Sequence, residues 1–289
     1  MDPSTYKTSE LFSVRGKVCI VTGAGSGIGK GMAGALAING ATVVICGRRQ
    51  DVLDATAKEL NVAADESGAG GKVIAIQADV ATKQGVVDFY DKCKDVIHKL
   101  DFLVNNAGFS SNWKVTTSLA DVEHLEEKLW SIDDIDWVNM TAVHVAGPYY
   151  LAVKFIPLFK ASNDPSICNI TSLATVFLNR AVCEFSYAQS KAAEAHMTRL
   201  MAAGLSPLGF RVNSVTPGLF KSELTTTPNG ELYPVMERQL ENIPNGRAGT
   251  WEEMAGPVML FATPAGAYLN GSNILIDGGW SMNASAKDV

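Results

Sequence analysis

The chain has 289 residues, 47% of them hydrophobic, and a formal net charge of −6, which is ample for a sizeable core in one large domain or two. No basic block offsets that charge and no apolar run approaches the ~20 residues of a membrane span, so neither nucleic acid nor a membrane is an expected partner. The five cysteines (Cys19, Cys46, Cys93, Cys168, Cys183) are odd in number and form no Cys-x-x-Cys pair, which predicts reduced, buried thiols in a cytoplasmic protein without a metal site.

Residues 1–14 are polar and carry acids, and read as a tail rather than a signal peptide. From there a strand-then-helix rhythm sets in. Short β-branched apolar runs occur at 18–21, 41–46, 72–78, 102–104, 167–170, 211–215 and 273–276. They are continuous rather than alternating, as strands covered on both faces should be. Helical patterns at 29–39, 51–66 and 85–98 separate the first of them. The glycines of Gly68-Ala69-Gly70-Gly71 mark a turn into the third strand rather than a linker. The prediction is one α/β domain over 15–289: a Rossmann-like, doubly wound, seven-stranded parallel sheet with helices on both faces.

The first loop suits a dinucleotide. After the first strand come Thr22-Gly23-Ala24-Gly25-Ser26-Gly27-Ile28-Gly29, opening directly into a helix. Glycines let the backbone turn sharply and approach a pyrophosphate, and helix-terminal N–H groups receive its charge. Gly23, Gly25, Ser26, Gly27, Ile28 and Gly29 are therefore candidate cofactor contacts. About twenty residues on, where a carboxylate would hold the ribose of NAD, the chain reads Gly47-Arg48-Arg49 instead. A guanidinium there suits the 2′-phosphate of NADP, so Arg48 and Arg49 point to NADP(H) as cofactor.

Further along, Tyr187 and Lys191 lie four residues apart on a predicted helix and share one face. A free tyrosine ionises near pH ~10, and a neighbouring ammonium in a site of reduced dielectric favours the phenolate. Taken in order, Thr22-Gly-x-x-x-Gly27-x-Gly29, Asn105-Asn106-Ala107-Gly108, a serine at the end of the fifth strand, Tyr187-x-x-x-Lys191, Pro217-Gly218 and Asp277-Gly278-Gly279 resemble the short-chain dehydrogenase/reductase family. The likeness covers about 11–280; within the family, the stretch from Arg247-Ala248-Gly249 to Asp277-Gly278-Gly279 is similar to microbial β-ketoacyl and other carbonyl reductases.

The resemblance implies roles. Asp79 and Val80 would border the adenine, Asn105, Ala107 and Gly108 would shape the cleft at the fourth strand, and Pro217 and Gly218 would lie against the nicotinamide. Tyr187 would exchange a proton with the substrate oxygen, Lys191 would lower its pKa and hold the nicotinamide ribose, and Ser172 would hydrogen-bond the carbonyl oxygen. Thr171 and Thr175 compete for the serine role, with Ser172 fitting the strand-end register best. The expected activity is hydride transfer between NADP(H) and a carbonyl or secondary alcohol. The alternatives are a relative doing isomerisation, dehydration or cyclisation, and a non-catalytic nucleotide sensor. Family members commonly pair through the helices that correspond to 135–162 and 186–204, so a homodimer or tetramer is expected. Ala188, Ala192, Ala193 and Ala195 on the second of these would permit close packing.

Three departures from the family pattern stand out. The usual asparagine on the helix after Asn-Asn-Ala-Gly is replaced by His144 on a positional count, whereas Asn139 fits the local motif but lies about 140° around the helix. His144 is the preferred fourth site residue, with a partly buried helix histidine of no chemical role as the alternative. An insert at 109–136 is longer than usual and carries helical spacing over 119–130. Ser172 and Tyr187 are fifteen positions apart, wider than usual, implying a longer loop through Asn179-Arg180-Ala181. Residues 219–244 take the place of a substrate lid, in which Leu224, Leu232, Tyr233, Met236 and Leu240 either cover an apolar ligand or pack the lid onto the body. Trp113, Phe177 and Leu178 are candidate additions to a pocket for a medium-sized, mostly apolar ketone.

Overall fold

The computed structural model describes residues 3–110, 123–177 and 184–283. The seven apolar runs form one parallel sheet: β1 (Val18–Thr22), β2 (Thr42–Gly47), β3 (Lys72–Gln77), β4 (Phe102–Asn105), β5 (Ser166–Ile170), β6 (Arg211–Pro217) and β7 (Asn273–Ile276). Their spatial order is β3-β2-β1-β4-β5-β6-β7, every neighbouring pair parallel. Winding reverses between β1 and β4, and a crevice opens there beyond the carboxyl ends of the strands.

Period-two alternation sorts the core into two layers. Cys19, Val21, Val43, Ile45 and Val104 face one way, onto α1 (Gly27–Ile38), α2 (Gln50–Ser67) and a later helix, Trp251–Ala262. Ile20, Val44, Leu103, Ile167 and Val212 face the other way, onto α3 (Lys83–Lys94), onto Leu151, Phe155 and Phe159, and onto Met201 and Ala202. Both faces of the sheet are thus dry, which is why its strands carry continuous apolar runs.

The helix expected over 135–162 is interrupted. It begins as α4 (Asp134–Thr141), opened by a reciprocal capping box between Asp133 and Asp136, passes through a π-turn (Ala142–Ala146), resumes as α5 (Gly147–Lys154) and breaks at Phe155. Two prolines account for this. Pro148 has no N–H to give the carbonyl of His144 in a regular turn, and the Gly147 N–H reaches back five residues to the Ala142 carbonyl instead. Pro157 starts a separate short helix, Ile156–Phe159. The helix that carries Tyr187 and Lys191 is α6 (Phe185–Leu205).

The predicted helical spacing at 119–130 is realised from Leu125 to Trp130; residues 111–122, including Trp113, and residues 178–183, including Leu178, Cys183 and Asn179-Arg180-Ala181, lie outside the described residues. The other four cysteines are free and buried. Burial pushes the thiols of Cys19 and Cys46 up to about 12, so they stay protonated and inert. Among the described residues, no helix is long and apolar enough to cross a membrane and no His/Cys/Asp/Glu cluster is arranged to hold a metal ion.

Candidate active site

The carboxyl edge of the sheet brings the motifs together. At the end of β1, Gly23 has φ +65°, and a Cβ there would stand 2.8 Å from the Cα of Ala107. At Gly29 a Cβ would meet the Asn106 amide at 2.5 Å and the Gly23 carbonyl at 2.6 Å. These two positions need glycine because β4's outgoing chain passes directly over the loop. The pieces are riveted: Thr22 Oγ1 accepts from the N–H groups of Asn106 and Ala107, both at 2.9 Å, and Asn106 Nδ2 donates to the carbonyls of Thr22 and Gly23.

Ser26 precedes α1 in extended conformation and its side chain makes no cap, so the first-turn amides of α1, from Gly27 and Ile28 on, keep their donors for another partner. A glycine cradle under uncapped, parallel N–H groups fits a pyrophosphate, and the sequence-predicted cofactor group is compatible with it.

The second and third strands end beside this cradle. Arg48 and Arg49 are exposed, but they differ. Arg49 forks onto both carboxylate oxygens of Glu223, at 2.9 and 2.7 Å, tying β2's exit to the segment after β6; among the described residues the Arg48 guanidinium makes no ion pair. Asp79 is exposed at the end of β3 and accepts the Ala81 N–H, while Val80 is buried in the core. Asn105 turns inward: its amide donates to Asn169 Oδ1 at 2.8 Å, and Asn169 donates to Thr198. Its side chain therefore braces β4 against β5, and Asn106, which the sequence reading did not single out, is the residue that grips the loop. Gly108 lies at the cleft, where a Cβ would meet His144 Nε2 at 2.8 Å. On the far side Pro217 is buried at the end of β6 and the Gly218 N–H bonds the Ile276 carbonyl at 3.0 Å.

Ser172 caps a short turn, Leu173–Thr175, that packs on α6. Its Oγ accepts the Ala174 N–H at 3.2 Å, and among the described residues nothing takes up the hydroxyl proton. Thr171 is committed elsewhere, bonded to the Val215 carbonyl and Thr216 within the core. Among the described residues nothing hydrogen-bonds the Tyr187 hydroxyl, and the ring stands edge-on to the His144 imidazole, 5.5 Å between centroids. One turn on, the buried Lys191 ammonium donates to the Ile170 carbonyl and to Glu194 Oε2, both at 2.8 Å.

His144 sits on the π-turn, fully buried, while Asn139 is exposed on α4. Its Nε2 accepts the Phe109 N–H at 3.3 Å, which leaves the proton on Nδ1, donated to Ser190 Oγ at 2.8 Å; Ser190 in turn donates to the Tyr187 carbonyl at 2.8 Å. Burial, and then the Lys191 charge, hold the imidazole's pKa well below its ordinary value, so it is neutral. Both ring nitrogens are occupied. Ser190 and Glu194 were not anticipated from sequence, although Glu194 follows Lys191 by three and Tyr187 by seven residues on the same helical stripe.

In the expected lid, Leu232, Met236 and Leu240 pack against Leu173, Leu219, Ile243 and Trp280, and the Phe177 ring meets Trp280 at a tilt, 5.4 Å between centroids. Of the two readings, these residues follow the one that packs the lid onto the body.

Together, a doubly wound sheet and a glycine cradle at its switch point, with Tyr187, His144 and Lys191 gathered around Gly108 beside it, have the architecture of a dinucleotide-binding protein. Residues 23–281 match the family model described as Enoyl-(Acyl carrier protein) reductase. The chain is 35% identical over 280 residues to the short-chain dehydrogenase/reductase PhomF of Diaporthe leptostromiformis, covering 94% of this chain and 93% of that protein. It is 32% identical over 268 residues to the 3-oxoacyl-(acyl-carrier-protein) reductase FabG of Thermotoga maritima, covering 92% and 98%. It also superposes on RhlG of Pseudomonas aeruginosa, solved as an NADP active-site complex, with a TM-score of 0.77, 31% identity and coverage of 94% and 98%. The chain belongs to the short-chain dehydrogenase/reductase family.

Proposed function

We propose that the protein is an NADP(H)-dependent reductase of a medium-sized, mostly apolar ketone, or the dehydrogenase of the matching secondary alcohol. The observation that carries this reading is the buried Lys191 ammonium one helical turn from a Tyr187 whose hydroxyl is unengaged among the described residues. Tyr187 donates its proton to the carbonyl oxygen in reduction and removes it in oxidation. Ser172, whose hydroxyl proton is taken up by none of the described residues, gives the same oxygen a second hydrogen bond, so the charge that develops there meets two fixed donors. When bound, the nicotinamide supplies or accepts the hydride at its C4.

The residues that would hold the cofactor are the Gly23–Gly29 loop for the pyrophosphate, Asp79 and Val80 by the adenine, Arg48 and then Arg49 for the 2′-phosphate, and Asn105, Ala107, Gly108, Pro217 and Gly218 around the nicotinamide half. Lys191 uses two of its three N–H groups inside the protein, leaving one for the nicotinamide ribose. The missing acid after β2 favours NADP over NAD, and the NADP complex of RhlG supports it. His144 acts by holding Tyr187 through Ser190 and ring contact. With both nitrogens bonded, it offers no free base to the isomerisation or cyclisation alternative. Ile135, Val138, Tyr149, Val153, Phe185 and Leu200 expose apolar surface on α4–α6, which supports self-association through these helices into a dimer or tetramer.

The test is NADPH oxidation followed by absorbance over a panel of cyclic, aryl and β-keto ketones. Turnover by the wild type that Tyr187→Phe abolishes supports the assignment; tight NADPH binding without oxidation against any carbonyl contradicts it.

A further inference from the structure

One buried charge in the site has no part in the scheme above. Tyr187, Lys191 and Glu194 form a single stripe along α6. The Lys191–Glu194 pair is 2.8 Å long, with side chains only 5% and 2% exposed. A structural role is a weak account of such a carboxylate, because an apolar side chain fills that space without the desolvation cost of an ion.

We propose that Glu194 is a positioning residue that neutralises much of the Lys191 field and keeps Tyr187 protonated, setting the site for proton donation to a carbonyl rather than proton removal from an alcohol. This rests on the reading of Tyr187 as the acid. A lone ammonium one turn away stabilises phenolate; an ammonium whose charge is cancelled by a carboxylate at contact distance does so far less. Glu194 also anchors the ammonium between itself and the Ile170 carbonyl, fixing the direction of the remaining N–H.

The surroundings leave this pair in control. Cys168 faces Glu194 from β5, and burial pushes its thiol up, so it carries no charge. His144 faces Lys191 from the π-turn and is held neutral by burial. Burial also raises the pKa of Glu194 itself, against the pull of Lys191, so its charge is sensitive to pH near neutrality. Glu184, a second buried acid at the start of α6, is hydrogen-bonded to Ser110 and is present unchanged in every variant compared below.

The experiment is a tyrosinate absorbance titration of the wild type and of Glu194→Gln, each corrected by subtracting its Tyr187→Phe counterpart. Glu194→Gln keeps the shape and the acceptor oxygen while removing the charge. Tyr187 should ionise roughly one pH unit lower in Glu194→Gln, the effect of a unit charge about two helical turns away at intermediate dielectric. Glu194→Asp, whose shorter arm loosens the pair, should move in the same direction by less, and carries the test if circular dichroism shows Glu194→Gln unfolded. In steady state, Glu194→Gln should lose carbonyl reduction at a correspondingly lower pH and gain several-fold in kcat for alcohol oxidation at neutral pH. An unmoved Tyr187 titration, or one moved upward, overturns the proposal even if ketones are reduced. A downward shift in a protein that reduces no carbonyl upholds the electrostatic role and removes the reductase reading instead.

Discussion

Replacing Gly23 by alanine isolates the loop on which the cofactor assignment depends. At φ +65° an L-residue pays about 1–2 kcal/mol of left-handed strain. The new methyl would also lie 2.8 Å from the Ala107 Cα, 3.1 Å from its nitrogen and 3.2 Å from Asn106 Nδ2. Two of those three atoms are backbone and cannot rotate away, so relief requires β1 and β4 to part and the Thr22–Asn106 hydrogen bonds to stretch, at a further cost of about 1–3 kcal/mol. The sum is about 3 kcal/mol, or a fall in Tm of roughly 6–12 °C for a chain of this size. The same displacement moves the loop off its cradle geometry, so NADPH affinity, read by quenching of protein fluorescence, should drop at least tenfold. Gly16→Ala is the control: its φ is +72°, but nothing lies within 4 Å of the added methyl, so it should show the strain term alone and normal NADPH binding. A Gly23→Ala protein with wild-type Tm and NADPH affinity would refute the close approach and, with it, the loop's role.

Arg48→Ala should weaken NADPH by ~10–100-fold, the worth of a charge-assisted hydrogen bond, and leave NADH nearly unchanged; Arg49→Ala should cost NADPH only a few-fold, because Arg49 must give up Glu223 to reach the phosphate. Equal losses for the two nucleotides in isothermal titration would sink the 2′-phosphate assignment. For pH, His144 is neutral in the folded chain with its pKa held well below 6.5, so below about pH 6.5 the unfolded chain takes up a proton that the folded chain refuses. His144 therefore contributes stability that is lost on acidification through that range, and His144→Asn should remove that loss, raising the acid end of a Tm-against-pH curve relative to its neutral end. Glu194, raised to about 7, contributes the opposite slope between its ordinary value and 7, and that slope should persist in His144→Asn; an unchanged acid limb would contradict the buried neutral imidazole. Val138→Lys, a charge set on the exposed apolar side of α4, should shift the protein toward monomer in analytical ultracentrifugation, and an unaltered distribution would place the interface elsewhere.

How much of this was legible beforehand follows from the range of the interactions involved. All seven strands were visible because burial on both faces leaves a run of β-branched residues that no local pattern imitates. The glycine loop and Tyr187–Lys191 were visible because their chemistry depends on fixed local spacing. The interruption at 142–146 was not, although Pro148 and Pro157 announced it; the apolar pattern continues through the break and masks it. Counting along the chain placed His144 but not its tautomer, which depends on Phe109 and Ser190 arriving from two other segments. Asn105 and Asn106 are adjacent and chemically identical, and only the pleat decides which one faces the core. Glu194 carries no such signal, since an acid three residues after a lysine on a helix ordinarily marks a solvated pair. Its burial comes from packing against β5, a contact with no sequence signature.

In the proposed reaction the hydride reaches the carbonyl carbon from a bound nicotinamide while Tyr187 gives its proton to the carbonyl oxygen. This is tested most directly by a single turnover with NADPH deuterated at the transferring C4 position and a ketone from the panel. Wild type should move deuterium onto the former carbonyl carbon, Tyr187→Phe should bind the nucleotide with near wild-type affinity yet transfer at least a hundredfold more slowly, and Ser172→Ala should fall between them. Deuterium transfer by Tyr187→Phe at the wild-type rate would contradict this course of reaction.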